Sequence, residues 1–114
     1  LNMSKLPEEY LHHILDETNY LIDSSTDVAE ERFSRDLTLQ KAFVRSLEII
    51  GEAIKNLPPD FTKSHNEIDW KSIAGMRDRL IHHYFGVDYE IVWDVIKNEI
   101  PKLNERVKEL LGKP

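Results

Sequence analysis

Thr38-Leu39-Gln40-Lys41-Ala42-Phe43-Val44-Arg45-Ser46-Leu47-Glu48-Ile49-Ile50-Gly51-Glu52-Ala53-Ile54-Lys55-Asn56-Leu57 is the stretch on which the fold turns. Leu39, Phe43, Leu47, Ile50, Ile54 and Leu57 recur at the three- and four-residue steps that line one side of an α-helix. Val44, Ile49 and Ala53 widen that stripe, leaving a narrow polar face of Lys41, Arg45, Glu48, Glu52 and Lys55. A helix with so broad an apolar surface has neighbours on several sides and belongs at the centre of the fold. Pro58-Pro59 stop it. Gly51 inside it costs about 1 kcal/mol against alanine, which points to close approach by another helix, a dimer partner's included.

Outward from this centre, three further amphipathic patterns appear. The first starts near Pro7, with Glu8 and Glu9 where negative charge suits a helix N-terminus. Its stripe is Leu11, Ile14, Leu15, Thr18, Leu21 and Ile22, and it ends in the polar run Asp23-Ser24-Ser25-Thr26-Asp27. Residues 28–36 make a short helical turn held by Val28 and Phe33, and residues 58–68 read as a loop. Asp69 can cap a helix that runs on to Gly86. Asp88 can cap a last helix with the stripe Val92, Ile96, Ile100, Leu103, Val107 and Leu110, bent by Pro101 and closed by Gly112. The pattern predicts an all-α, four-helix up-and-down bundle forming one helical domain over residues 1–114.

Composition narrows the function. A chain of 114 residues with 40% hydrophobic and 32% charged residues reads as soluble and globular. With no cysteine there is no disulfide framework, thiolate zinc site or cysteine nucleophile. No apolar run is long enough for a membrane span and no signal peptide is visible, so a cytoplasmic location is expected. The formal charge is −6, from 15 basic and 21 acidic residues, so any contact with nucleic acid needs a local basic patch.

The chemistry concentrates in Arg77-Asp78-Arg79-Leu80-Ile81-His82-His83-Tyr84. Read as a helix, Trp70, Ile73, Ala74, Ile81 and Tyr84 form an apolar stripe into which Arg77 falls. A guanidinium there needs a partner. It either recognises phosphate or carboxylate, or makes a structural ion pair with an acid on the central helix, for which Glu52 is the first candidate. An acid so placed can also orient a catalytic arginine. His82 lies four residues after Asp78, a spacing that lets a carboxylate fix an imidazole tautomer for acid–base work, or that forms an ordinary surface pair. Tyr84 either packs with its hydroxyl at the surface or bonds a substrate phosphate. In a straight helix His82 sits about 140° around the axis from Arg77. Long side chains, a distorted helix end or a second copy across a two-fold axis would reconcile them. Adjacent histidines (His12-His13, His82-His83) diverge by about 100° and make poor joint ligands, so neither metal nor cofactor is expected.

On these residues the chain resembles the HEPN superfamily, and within it the HepT-like toxins of nucleotidyltransferase–HEPN (MNT–HEPN) toxin–antitoxin pairs. The family motif is Arg, a polar residue, three more residues, His, any residue, Tyr. Arg77, Asp78, His82 and Tyr84 match it without a change of spacing, Asp78 standing where the family often has Asn. Trp70 with Ile73-Ala74-Gly75-Met76, the run Leu47–Ala53, and Val87-Asp88 leading to Val92-Trp93 match its context, and the similarity runs from about Tyr10 to Leu111.

The resemblance implies a homodimer with both motif copies in a shared cleft, and a metal-independent endoribonuclease toxin acting on RNA through 2′-hydroxyl attack. His82 would be general acid or base, Arg77 would stabilise phosphate charge, Asp78 would orient one of them, and Tyr84 would position substrate. Arg79 and His83 would add positive charge to the cleft. A cognate minimal nucleotidyltransferase antitoxin would be the partner, with Tyr84 the site of AMP attachment. Gly51 and the Arg77 side point to the second and third helices as the dimer face. The alternative is a non-catalytic dimeric helical module that binds a nucleotide or the nucleotidyltransferase. A purely structural subunit would leave Arg77 unexplained unless Glu52 neutralises it.

Overall fold

The computed structural model describes residues 6–82 and 86–112. Its middle is the helix read from the central stripe, α3 (Leu37–Lys55), which packs against segments on both sides of it in sequence. Asp36 caps it by accepting the Leu39 N–H at 3.1 Å. Phe43, Leu47 and Ile50 on its stripe are fully buried. Before it run α1 (Pro7–Ser25) and the single turn α2 (Glu30–Phe33), whose Phe33 stacks on Phe43 at 5.5 Å and lies 5.1 Å from the Trp93 ring. Val28 packs at the edge of the same core.

Polar side chains set how the long helices align. Ser46 donates to Glu17 Oε1 at 2.7 Å, tying α3 to α1. Asn104 donates to Thr18 Oγ1 at 2.9 Å and Asn19 Oδ1 at 2.8 Å, tying the final helix to α1. Among the described residues no buried side-chain nitrogen or oxygen lacks a partner. No helix there is long and apolar enough to cross a membrane.

Three expectations change. Residues 58–68 are not all loop: Pro59 opens the short helix α4 (Pro59–Ser64), since its fixed φ and missing N–H suit a first helical position. The third helix does not run to Gly86. Gly75 leaves helical geometry (φ −85°, ψ 19°) and divides it into α5 (Trp70–Ala74) and α6 (Met76–Leu80). Beyond Leu80 the chain extends as β1 (Ile81–His82), antiparallel to β2 (Gly86–Val87), with His82 opposite Gly86. Gly86 has φ +74°, which its missing Cβ permits. The last helix is continuous but not uniform. Between α7 (Tyr89–Asp94) and α8 (Ile100–Leu110), residues Val95–Glu99 form a π-helical turn in which the Ile100 N–H bonds the Val95 carbonyl. Pro101 has no N–H for the Lys97 carbonyl and its ring crowds it, and the wider turn relieves both.

Gly51 does mark a close approach, but from within the chain. A Cβ there would stand 3.3 Å from the Ile73 carbonyl oxygen and 3.5 Å from that of Ala74. The missing side chain lets the α5–α6 corner seat directly on α3.

Candidate functional site

Met76 and Leu80, four residues apart on α6, are both buried and clamp that helix to the core. The residues between them have no freedom in where they face. Arg79, three after Met76, comes back toward the core; Arg77 and Asp78 turn out to solvent.

Arg77 therefore does not lie in an apolar stripe, and its side chain is 72% exposed. Its carboxylate neighbour is Glu48 rather than Glu52: Arg77 Nη1 is 3.7 Å from Glu48 Oε2, and Glu48 is also 3.8 Å from Arg45. Glu52 pairs with Lys55 at 3.4 Å, one turn along α3. Arg77, Glu48 and Glu52 nevertheless share a concave surface of about 360 Å³, with Gly51 among its lining residues. Two wider hollows, one beside Leu57 and Trp70 and one along α8, include neither Arg77 nor His82.

His82 stands on β1, so the helical spacing from Asp78 no longer brings the two together. Its neighbour is Asp88: His82 Nε2 lies 3.3 Å from Asp88 Oδ2. The other oxygen of Asp88 accepts the N–H groups of Glu90 and Ile91 at 3.1 and 3.2 Å, capping α7. Asp78 is exposed and makes no hydrogen bond or ion pair among the described residues. His83 and Tyr84 lie outside the described residues.

Arg79 is committed to the scaffold. Its guanidinium donates twice to the Glu99 carboxylate, at 3.0 and 2.6 Å, and once to Ser72 Oγ at 3.1 Å. The hydrogen bond to Glu99 raises its pKa above the usual arginine value; partial burial opposes the shift, and the charges of Glu99, Asp69 and Asp94 add to it. These contacts occupy the fork that was expected to meet substrate, and they pin the motif segment to the π-helical turn.

Residues 9–110 match the family described as Ribonuclease HepT-like. The chain belongs to the HepT-like ribonuclease family. A provisionally named RNase of Caldanaerobacter subterraneus subsp. tengcongensis is 55% identical over 109 residues, covering 96% of this chain and 97% of that one. A Methanocaldococcus jannaschii protein, also provisionally named an RNase, is 44% identical over 102 residues, or 90% and 84% of the two chains. A provisionally named ribonuclease HepT from Thermococcus cleftensis is 41% identical over 108 residues, or 95% and 98%. No solved structure matches the chain.

In this HepT-like chain, sequence reasoning placed Arg77 and His82 in one motif but missed the carboxylates beside them. Asp88 was readable as a helix cap and not as a histidine partner, because the ladder that folds it back beside His82 was itself hidden. Gly86 was the available signal, read as a helix stop when it is the first residue of β2, at φ +74°. Glu99 and Glu48 carry no local signal, since only the tertiary fold brings them to Arg79 and Arg77.

Proposed function

We propose that the protein is a metal-independent endoribonuclease and the toxin of a toxin–antitoxin pair. The observation that carries this reading is the exposed rim formed by α6 and β1. Arg77 and His82, the two groups that phosphodiester chemistry needs most, both face solvent there with a carboxylate beside each. Family membership over residues 9–110 supports it.

The working unit is a homodimer of four-helix up-and-down bundles, with the two rims facing a shared cleft. One His82 takes the proton of a ribose 2′-hydroxyl. The O2′–P bond forms as the P–O5′ bond breaks, and the partner's His82 gives a proton to the departing O5′. The products are a cyclic phosphate and a 5′-hydroxyl. Arg77 donates to the non-bridging oxygens as charge grows on them. Tyr84 positions substrate and is the acceptor of AMP: its hydroxyl oxygen attacks the α-phosphate of ATP on the cognate minimal nucleotidyltransferase, and pyrophosphate leaves. Asp78 and His83 assist Arg77 and His82 in holding substrate. With a net charge of −6 on the chain, RNA contact depends on these local cations, and binding weakens as salt rises.

The test is incubation of purified protein with total cellular RNA and chelator, beside His82→Ala and Arg77→Ala, with end-group analysis of the fragments and light scattering for mass. The expected result is a dimer in which only the wild type cleaves, leaving cyclic phosphate ends. Intact RNA, with protein shown by mass to carry no AMP on Tyr84, overturns catalysis in favour of a dimeric module that binds a nucleotide or the nucleotidyltransferase.

A further inference from the structure

We infer that Asp88 is the positioning residue for His82, and that it thereby selects Nδ1 as the nitrogen that exchanges protons with substrate. Resting on the ribonuclease reading, this assigns the orienting carboxylate to the start of α7 rather than to Asp78.

Both oxygens of Asp88 are engaged, each with a different task. Oδ1 accepts two backbone N–H groups, from Glu90 and Ile91. Those bonds, with the bond from the Asp88 N–H to the Leu80 carbonyl at 2.7 Å, fix where the carboxylate sits and how it is turned. Oδ2 is left facing His82 Nε2 at 3.3 Å. A carboxylate only accepts, so the ring nitrogen facing it carries the hydrogen. In the neutral imidazole the lone pair then lies on Nδ1. His82 is about half exposed, at 51%, and would swing between rotamers without a tether. The helix cap supplies one, because the group that holds the ring is itself held by backbone.

Two substitutions separate holding from capping. Serine caps a helix about as well as aspartate but is too short to reach the ring, whereas asparagine can cap through Oδ1 and still reach the ring with Nδ2, a donor that puts the ring hydrogen on Nδ1 instead. Asp88→Ser is expected to lower kcat for RNA cleavage on the order of 10–100-fold, with KM and melting temperature near wild type. Asp88→Asn is expected to lose at least as much, because it holds the ring in the opposite tautomer. Independently of activity, three-bond couplings should show one His82 χ1 rotamer in the wild type and averaging in Asp88→Ser. Full kcat in Asp88→Ser overturns the positioning role, as does a His82 rotamer distribution that is the same in both proteins. A wild type that leaves RNA intact overturns the ribonuclease reading on its own, while the couplings still decide whether Asp88 holds the ring.

Discussion

Arg77 and Arg79 stand two residues apart on the same five-residue helix and have opposite roles. Arg79 faces inward, where Glu99 and Ser72 take its donors. Arg77 faces outward, with Glu48 at the outer limit of an ion pair. The difference comes from the burial of Met76 and Leu80, which sets the rotation of α6. The residue type says only that a guanidinium is present. Its placement decides whether the charge builds the scaffold or stays available for a ligand.

The largest effect tests that contrast directly. Arg77→Ala should lower RNA cleavage at least about 100-fold while leaving the melting temperature unchanged. Arg79→Ala should do the reverse, acting first on stability. About a third of the Arg79 and Glu99 side chains meets water, so screening keeps their contribution near 1–2 kcal/mol. That corresponds to a melting temperature lower by about 4–8 °C. If Arg79→Ala is as stable as wild type yet inactive, the scaffold assignment fails. The sign with pH is set by the raised Arg79 pKa: its share of stability is in place below the ordinary arginine range and is lost only as pH rises through the higher folded value. Arg79 thus stays charged at every working pH.

A double-mutant cycle sharpens the same point. Arg79→Ala with Glu99→Ala should couple by about 1 kcal/mol in denaturant unfolding, whereas Arg77→Ala with Glu48→Ala should couple by less than about 0.5 kcal/mol. Equal coupling in the two cycles would erase the distinction between seam and rim.

Gly51 connects the two regions, because α3 supports the corner that leads into α6. Gly51→Val should destabilise by about 1–3 kcal/mol through overpacking against the Ile73 carbonyl, and it should reduce cleavage by displacing that corner. Gly51→Ala is the milder probe. Its helix-propensity gain of about 1 kcal/mol offsets most of the crowding, so a melting curve within a few degrees of wild type is expected. The smallest effect is that of Glu48→Gln, which should leave stability unchanged and alter cleavage by less than about threefold.

The long helices were legible because each carries its own stop and start signals. Pro7 and Asp88 open helices, and most stripe positions of α1 and α3 are buried, Ile22 and Leu39 only in part. The segment after Asp69 was misread for a physical reason. Trp70, Ile73 and Ile81 fit a helical stripe by spacing, but Gly75 breaks the helix and β-branched Ile81 begins an extended run. Both signals are local and weak, and a long apolar period outweighs them when only spacing is read. The same error moved Arg77 from rim to core and hid Asp88 behind its role as a cap. At the site, the sequence disclosed the motif residues Arg77 and His82. The acids beside the motif residues come from segments distant in sequence, as with Glu99 for Arg79, or from beyond an unforeseen ladder, as with Asp88 for His82.

The Asn104 bond to Thr18 joins residues 86 positions apart, and this has a consequence for the order in which the protein is made. A ribosome releases α1, α3 and the motif segment before α8. Until Asn104 and Glu99 emerge, Thr18 lacks its cross-helix partner and Arg79 lacks the carboxylate that seats its helix. The rim bearing Arg77 and His82 is therefore set only when translation has passed through the last long helix, so a nascent chain carries the motif well before it carries the site.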